Sequence, residues 1–210
     1  MVDSTVRMWT GIAGIGVFVM TLPVIALYFI TSDPPPVRTV LLRVLLNTLL
    51  CAAFLVFVAG LSRLVNRAPS EQAWLAALTF AAGLAIVLVT LVANAIEAGA
   101  VLHAGTGLDP TRMGSGGESA QVIYGPIMRV LTALFLIAAG TSALTTGGFP
   151  AWTGWAAVVV AAFHLGLAPT ILSTTDPSRF YSFNGWSIPV AGGLLVTWVL
   201  IVSITILPSS

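Results

Sequence analysis

The sequence predicts an all-α polytopic membrane bundle of six transmembrane helices, and three observations predict it. The chain has 210 residues, 58% hydrophobic and 7% charged, with a mean hydropathy of +1.03. A soluble domain carries about 25% charged residues, so too little polar surface is available to face water. Second, six runs, at approximately 8–30, 40–61, 73–102, 123–145, 150–172 and 186–207, each reach the ~20 apolar residues a helix needs to cross ~30 Å of hydrocarbon. Third, the runs do not alternate in polarity, so they cannot close as a barrel, and helix is the remaining way to satisfy the backbone in lipid.

The first run, Met8 to Ile30, is 23 residues long, beyond the about 7–15 residues of a signal-peptide core. It ends in YFITSDPPP with no small-x-small cleavage pattern, so it is expected to stay as a first span. Gly11, Gly14 and Gly16 give it a small-residue face, as Gly83 does the third span and Gly192–Gly193 the sixth. Small residues permit close helix approach where apolar burial gives little drive. The second span carries Arg43, Asn47 and the lone Cys51, a small packing residue that can form no intramolecular disulfide. The third carries Asn94 and Glu97 in the stretch VANAIEAGAVLH. A Gly/Ser-rich connection at 103–122 follows and reads as mobile. Ser115-x-x-Glu118 has the spacing of a capping box for the fourth span, which opens with Tyr124 and Arg129. The fifth span carries His164. Trp9, Trp74, Trp152, Trp155 and Trp186 fall near span ends, as an interfacial aromatic belt requires, and Trp198 lies deep in the sixth span. No linker of different composition divides residues 1–210, which read as one domain.

We call the end bearing the connections after spans one, three and five the odd side. Each of these connections repeats one device: Asp33-Pro34 then Arg38, Asp109-Pro110 then Arg112, and Asp176-Pro177 then Arg179. Asp before Pro suits a helix start, with Asp as N-cap and Pro at the first helical position, and the Arg is placed to pair with the Asp. Arg7, Arg63 and Arg67 on the even side balance Arg38, Arg112 and Arg179 on the odd side, a tie under the positive-inside count. Concentration of Arg63 and Arg67 in one short connection leads to the expectation of a multi-pass cell-membrane protein with both termini cytoplasmic.

All eight basic residues are Arg, and seven acids nearly balance them. With no basic tail or patch there is no nucleic-acid surface. The Gly-rich GTGLDPTRMGSGGES has no GK[ST] and no preceding strand, which excludes a phosphate-binding P-loop. No Ser-His-Asp or nucleophile-elbow context appears. His103 and His164 have no metalloprotease-type spacing with Glu97 and no second pair for haem, so no cofactor and no metal are expected.

What remains is a set of polar groups in one leaflet. Arg43 and Asn47, Asn94 and Glu97, Tyr124 and Arg129, and His164 all fall in the odd-side halves of their helices. Intramembrane charges face the bundle interior, pair with one another and mark function. Glu97 is expected to pair with Arg43 or Arg129, with Asn47, Asn94, Tyr124 and His164 around the pair. The other Arg either snorkels to the headgroups or supplies a positive charge for an anionic ligand.

The segment TTGGFPAWTGWAAVVVAAFHL, residues 145–165, resembles a stretch in small six-helix, actinobacterial-type integral membrane proteins of unknown function. Gly148, Pro150, Trp152, Gly154 and Trp155 carry that resemblance, and Arg43 also looks family-like. Ala151 stands where such proteins commonly have a basic residue. The resemblance implies a fold and no activity. The leading expectation is a protein binding, or binding and passing, a small anionic or lipid-like ligand in the odd-side polar pocket, with membrane lipids as its surroundings. The alternatives are an accessory subunit docking on other membrane subunits, and a terpene-cyclase-like membrane enzyme using Glu97 or Asp176 as general acid.

Overall fold

The computed structural model describes residues 2–29, 36–66, 73–104, 115–173, 176, 178–183 and 185–207. The helices are α1 (Val2–Phe29), α2 (Val37–Val65), α3 (Ala73–Ala104), α4 (Ser115–Val122), α5 (Met128–Thr146), α6 (Ala151–Leu167) and α7 (Ser187–Ile206). A π-turn, Ile123–Ile127, joins α4 to α5, and a 3₁₀ segment, Ala168–Leu172, extends α6. Together they form six helical stretches long and apolar enough to cross a membrane. The protein is an all-α six-helix bundle. Most helices run past their expected ends: α3, at 32 residues, is about 48 Å long at 1.5 Å per residue. Residues 115–122, expected to belong to an irregular connection, are helical. The Ser115 and Glu118 side chains lie outside the described residues.

Local sequence explains the boundaries. Gly147, at φ 63° and ψ 7°, ends α5 in the left-handed conformation that Gly adopts without steric cost. Pro150 then caps the start of α6 without a side-chain hydrogen bond. Pro126 lacks a backbone N–H, and the chain answers it with the π-turn and a non-helical Gly125 at ψ −106°. Pro169 does the same to the end of α6, which tightens to 3₁₀ geometry.

The spans close into a ring. α1 packs between α7 and α2, α3 between α2 and α5, and α6 between α5 and α7. The start of α1 meets the end of α7, since a Cβ on Gly11 would lie 2.7 Å from Leu207, so both described termini lie at one end of the bundle. Gly14 and Gly83 are packing glycines as expected: a Cβ there would lie 1.9 Å from Ser203 Oγ and 2.4 Å from Val58. Gly154, in the W-T-G-W stretch, meets the Gly140 carbonyl of α5 at 2.9 Å in the same sense. Gly16, Gly192 and Gly193 have nothing within 4 Å and do not serve helix packing.

The even half of the ring is filled by aromatic rings. Phe54 of α2 lies 5.8 Å from Phe135 of α5, which meets Trp198 of α7 edge-on at 5.9 Å. Trp198 is buried because its indole N–H donates to the Thr153 carbonyl at 3.0 Å, satisfying the polar end that holds the belt tryptophans at an interface. The other five Trp are all at least half exposed on the bundle surface.

Candidate functional site

The odd half holds two polar groups, where one was expected. The first lies between α1, α2, α3 and the π-turn. Arg43 and Asn47 are one turn apart on α2, and Asn94 and Glu97 one turn apart on α3. Because the two helices are antiparallel neighbours, the residues meet in two rungs. Arg43 Nη2 donates to Glu97 Oε1, and Asn47 Nδ2 donates to Asn94 Oδ1 at 2.9 Å. Tyr124 O–H donates to the same Asn94 oxygen at 2.6 Å. The Arg43 guanidinium carbon also sits 3.9 Å from the Tyr28 ring centroid, a cation–π contact. Arg43 and Glu97 are 2% and 3% exposed. This group is neutral in sum, and Arg43 takes the place the sequence left open between two arginines.

The second group lies between α5, α6, the 3₁₀ segment and α7, and Arg129 is its centre. Arg129 Nη1 donates to the Leu167 carbonyl at 2.7 Å and to Thr170 Oγ1, and Nη2 donates to Ser187 Oγ at 2.6 Å. Pro169 exposes these acceptors, because the 3₁₀ segment it imposes ends the regular i to i−4 ladder of α6. One turn deeper, the His164 Nε2 hydrogen bonds to the Ala191 carbonyl at 3.1 Å, which makes Nε2 the protonated nitrogen of the neutral ring. Thr132, one turn along α5 from Arg129, is fully buried. Among the described residues Arg129 Nε, Thr132 Oγ1 and His164 Nδ1 find no hydrogen-bond partner, and in the first group neither do Arg43 Nε and Asn94 Nδ2.

Two expectations are corrected here. His164 does not attend the Glu97 pair; it packs against α7. Arg129 does not snorkel either, being 1% exposed and held by neutral oxygens. No described carboxylate pairs with Arg129, and among the described residues no hydrogen bond links a member of one group to a member of the other. The π-turn with its non-helical Gly125 stands between Tyr124 and Arg129, and one side chain reaches Asn94 of α3 while the other reaches the end of α6 and Ser187 of α7.

A short connection closes over the second group. Ser173 Oγ donates to the Tyr181 carbonyl at 2.9 Å, and Tyr181 O–H donates to the Gly166 carbonyl at 3.1 Å. Within it Asp176 Oδ1 accepts from the Ser178 N–H at 3.0 Å and from Ser178 O–H at 2.7 Å. Arg179 Nε lies 3.4 Å from Asp176 Oδ2. The Asp–Arg pairing expected of the third Asp-Pro device is present, but no helix starts there; Asp176 makes an Asx-type turn and α7 begins only at Ser187. The Ser178 hydroxyl and N–H, with Arg179, hold the Asp176 carboxyl below its ordinary value of 3.8. In the first device the residue before α2 is Pro36, not Asp33; Asp33 and the whole second device lie outside the described residues.

His103 is exposed near the end of α3, whereas His164 is 2% exposed. Among the described residues no three of His, Cys, Asp and Glu come together. Tyr28, Thr132, Thr170 and Ser187 are site residues that sequence reasoning missed. Tyr28 carried a usable signal, lying in the same half as Arg43, but hydroxyls in spans are too common to single out. No family model, no curated protein and no solved structure matches the chain.

Proposed function

We propose that this is a cell-membrane protein that binds an anionic ligand, small or lipid-like, in the odd-side half of its bundle, with Arg129 as the recognising cation. The reading takes the chain to be one of the small six-helix bacterial membrane proteins its fifth span resembles, with cytoplasmic termini. One observation carries it: Arg129 is buried, and no described carboxylate pairs with it. A charge at the centre of a span costs at least about 2.5–3.5 kcal/mol, and hydrogen bonds to neutral oxygens offset that without neutralising it. An anion would, and the guanidinium fork suits carboxylate and phosphate oxygens. The aromatic filling of the even half favours holding a ligand over conducting one.

A second reading, an accessory subunit, draws on Gly16, Gly192 and Gly193, which leave open space on α1 and α7. Co-purification of a stoichiometric partner subunit from native membranes would favour it.

The test is thermal unfolding of the purified protein in phosphatidylcholine nanodiscs, with inorganic phosphate or phosphatidylglycerol titrated in. A ligand at 100 times its dissociation constant stabilises by about 2.7 kcal/mol. The expected result is stabilisation of the native chain by at least one anion and none for Arg129→Met. Stabilisation by neither, or equal stabilisation of the variant, overturns the proposal.

A further inference from the structure

The three buried atoms left without a partner among the described residues around Arg129 are its own Nε, Thr132 Oγ1 and His164 Nδ1, and the helices bring them to one place. α5 and α7 run inward from the odd end, and α6 runs back out to it. One turn inward therefore leads from Arg129 to Thr132, from Leu167 to His164 and from Ser187 to Ala191. The outer level is tied by the bonds of Arg129 to the Leu167 carbonyl and Ser187 Oγ. The inner level is tied by His164 Nε2 and the Ala191 carbonyl at 3.1 Å. Thr132, three residues on from Arg129, shares its face of α5, and the guanidinium is near enough for its charge to act on the imidazole. All three side chains are at most 2% exposed. The hydroxyl of Thr132 is free for a reason of its own. The buried threonines Thr10, Thr79 and Thr90 each turn theirs back to the carbonyl four residues earlier, and Thr132 leaves that bond unmade.

We infer that the Arg129 group is a site for a monoanionic phosphate or phosphate monoester that still carries a P–O–H, its ionised oxygens on Arg129 Nε and Thr132 Oγ1 and its hydroxyl on His164 Nδ1. The inference rests on anion binding at Arg129 and adds the chemical class of the anion. Charge sets the first limit. Arg129 brings one positive charge, so a monoanion neutralises it, and a dianion leaves net charge inside the membrane, where charge is costly. The hydrogen bonds set the second. Arg129 Nε only donates, and a threonine hydroxyl donates or accepts. The Ala191 carbonyl only accepts, which keeps the imidazole proton on Nε2 and leaves a lone pair on Nδ1. That lone pair repels an ionised oxygen and accepts from a hydroxyl. An ionised carboxylate, a sulfate and a phosphate diester have no acidic hydroxyl to give it. A phosphate monoester has one, because its second ionisation lies near about 6. A lipid phosphomonoester and free phosphate share this chemistry.

Thermal unfolding in phosphatidylcholine nanodiscs near pH ~6, where about half of a phosphate monoester keeps its second proton, tests the inference with two pairs of probes. Dimethyl phosphate matches the charge of methyl phosphate without the hydroxyl, and sulfate matches the size of inorganic phosphate without the proton. The bond to Nδ1 is expected to give the hydroxyl-bearing member of each pair a preference of roughly tenfold or more. His164→Gln keeps a donor for the Ala191 carbonyl and moves its acceptor off the Nδ1 position, and should bring the ratio of the methyl phosphates close to one. Thr132→Val should weaken both and preserve their ratio. A preference for phosphatidic acid over phosphatidylglycerol of identical chains assigns the phosphate to a lipid, and a response to the soluble phosphates alone assigns it to a free one; either supports the site. Dimethyl phosphate binding as tightly as methyl phosphate, or a preference that survives His164→Gln, overturns the inference while leaving anion binding at Arg129 intact. If the Gln variant does not fold, sulfate bound as tightly as phosphate by the native chain overturns it alone. If no anion stabilises the native chain, both readings fall.

Discussion

Two arginines lie buried in the same half of this bundle, Arg43 at 2% and Arg129 at 1% exposure, and they are solvated in opposite ways. Arg43 has a carboxylate, Glu97, and an aromatic face, Tyr28. Arg129 has a backbone carbonyl and two hydroxyls. The difference follows from neighbours. α2 and α3 are adjacent and antiparallel, so rungs at i, i+4 on one match rungs at i, i+3 on the other, and a charge pair closes between them. α5, α6 and α7 bring no acid to Arg129, only the Leu167 carbonyl and the hydroxyls of Thr170 and Ser187. The neutral group therefore reads as a clamp between helices, and the charged group as the place where something from outside is held.

Glu97→Ala gives the largest contrast. Stranding one member of a buried pair typically costs about 3–5 kcal/mol, so the variant should unfold at clearly lower temperature, and Glu97→Gln should lose less because it keeps a hydrogen-bonding group. Adding Arg43→Met to Glu97→Ala should restore most of the stability and leave anion binding untouched. A double variant that regains stability but no longer binds phosphate or phosphatidylglycerol would move the ligand to the Arg43 group and dissolve the contrast.

Arg129→Met should cost less, on the order of 1–3 kcal/mol, even though the residue is as deeply buried. Its removal strands no charge, and its partners keep bonds of their own: Thr170 O–H donates to the Leu167 carbonyl at 2.8 Å and Ser187 O–H to the Ser182 carbonyl at 3.2 Å. Equilibrium unfolding of the two single variants, Glu97→Ala and Arg129→Met, ranks them directly. If Arg129→Met is the more damaging, Arg129 is a structural tie and the proposed ligand loses its support.

The six spans, the belt of exposed tryptophans and the pairing of Glu97 with an arginine, though not the choice between Arg43 and Arg129, were legible because each depends on period and depth alone. Length places a residue along the membrane normal, and the helical repeat places it on a face. The division of the polar residues into two groups was legible in part, since residues five positions apart, as Tyr124 and Arg129 are, do not share a face of a regular helix. Pooling residues by leaflet discarded that information. Other features were not legible. Which Pro yields a π-turn, which a 3₁₀ segment and which, like Pro23, stays inside a regular helix depends on packing partners from distant spans. The same holds for Gly192 and Gly193, which share a composition with Gly14 but not a neighbour.

Thr132 separates a filled charged site from an empty one. Its Oγ1 is buried beside the Arg129 group and has no partner, and Val has nearly its shape. If no ligand reaches this depth, Thr132→Val removes an unsatisfied hydroxyl and should be neutral or stabilising by about 1 kcal/mol. If the bound anion accepts from Thr132, the variant should unfold normally when ligand-free and lose part of the stabilisation by phosphate. A control on the exposed face of α2, Thr48→Val, should do neither, because Thr48 Oγ1 is already bonded to the Val44 carbonyl at 2.9 Å.

The smallest effect belongs to the exposed counterpart of the Arg43 pair, Asp176 with Arg179. Here water solvates both ions, and the carboxylate owes its lowered value first to the Ser178 hydroxyl, then to the Ser178 N–H, with Arg179 after them. A carboxyl whose folded value lies below its unfolded one contributes stability that is full above the unfolded value and is lost as pH falls through the folded one. The turn should therefore hold unchanged from neutral pH to near 3.8 and loosen only below it, while the Glu97 pair and the six spans stay folded. Hydrogen exchange of the Ser178 amide, referenced to its intrinsic rate at each pH, reads this locally: protection should fall only in that acid range for the native chain. In Asp176→Asn the same protection should be independent of acid. Loss of the Ser178 protection near neutral pH would mean that another group governs the turn. Weakening of global stability in step with it would mean that this connection is coupled to the Arg129 group it closes over, through Tyr181 and Ser173, and that the boundary between the exposed pair and the buried site is not where the hydrogen bonds place it.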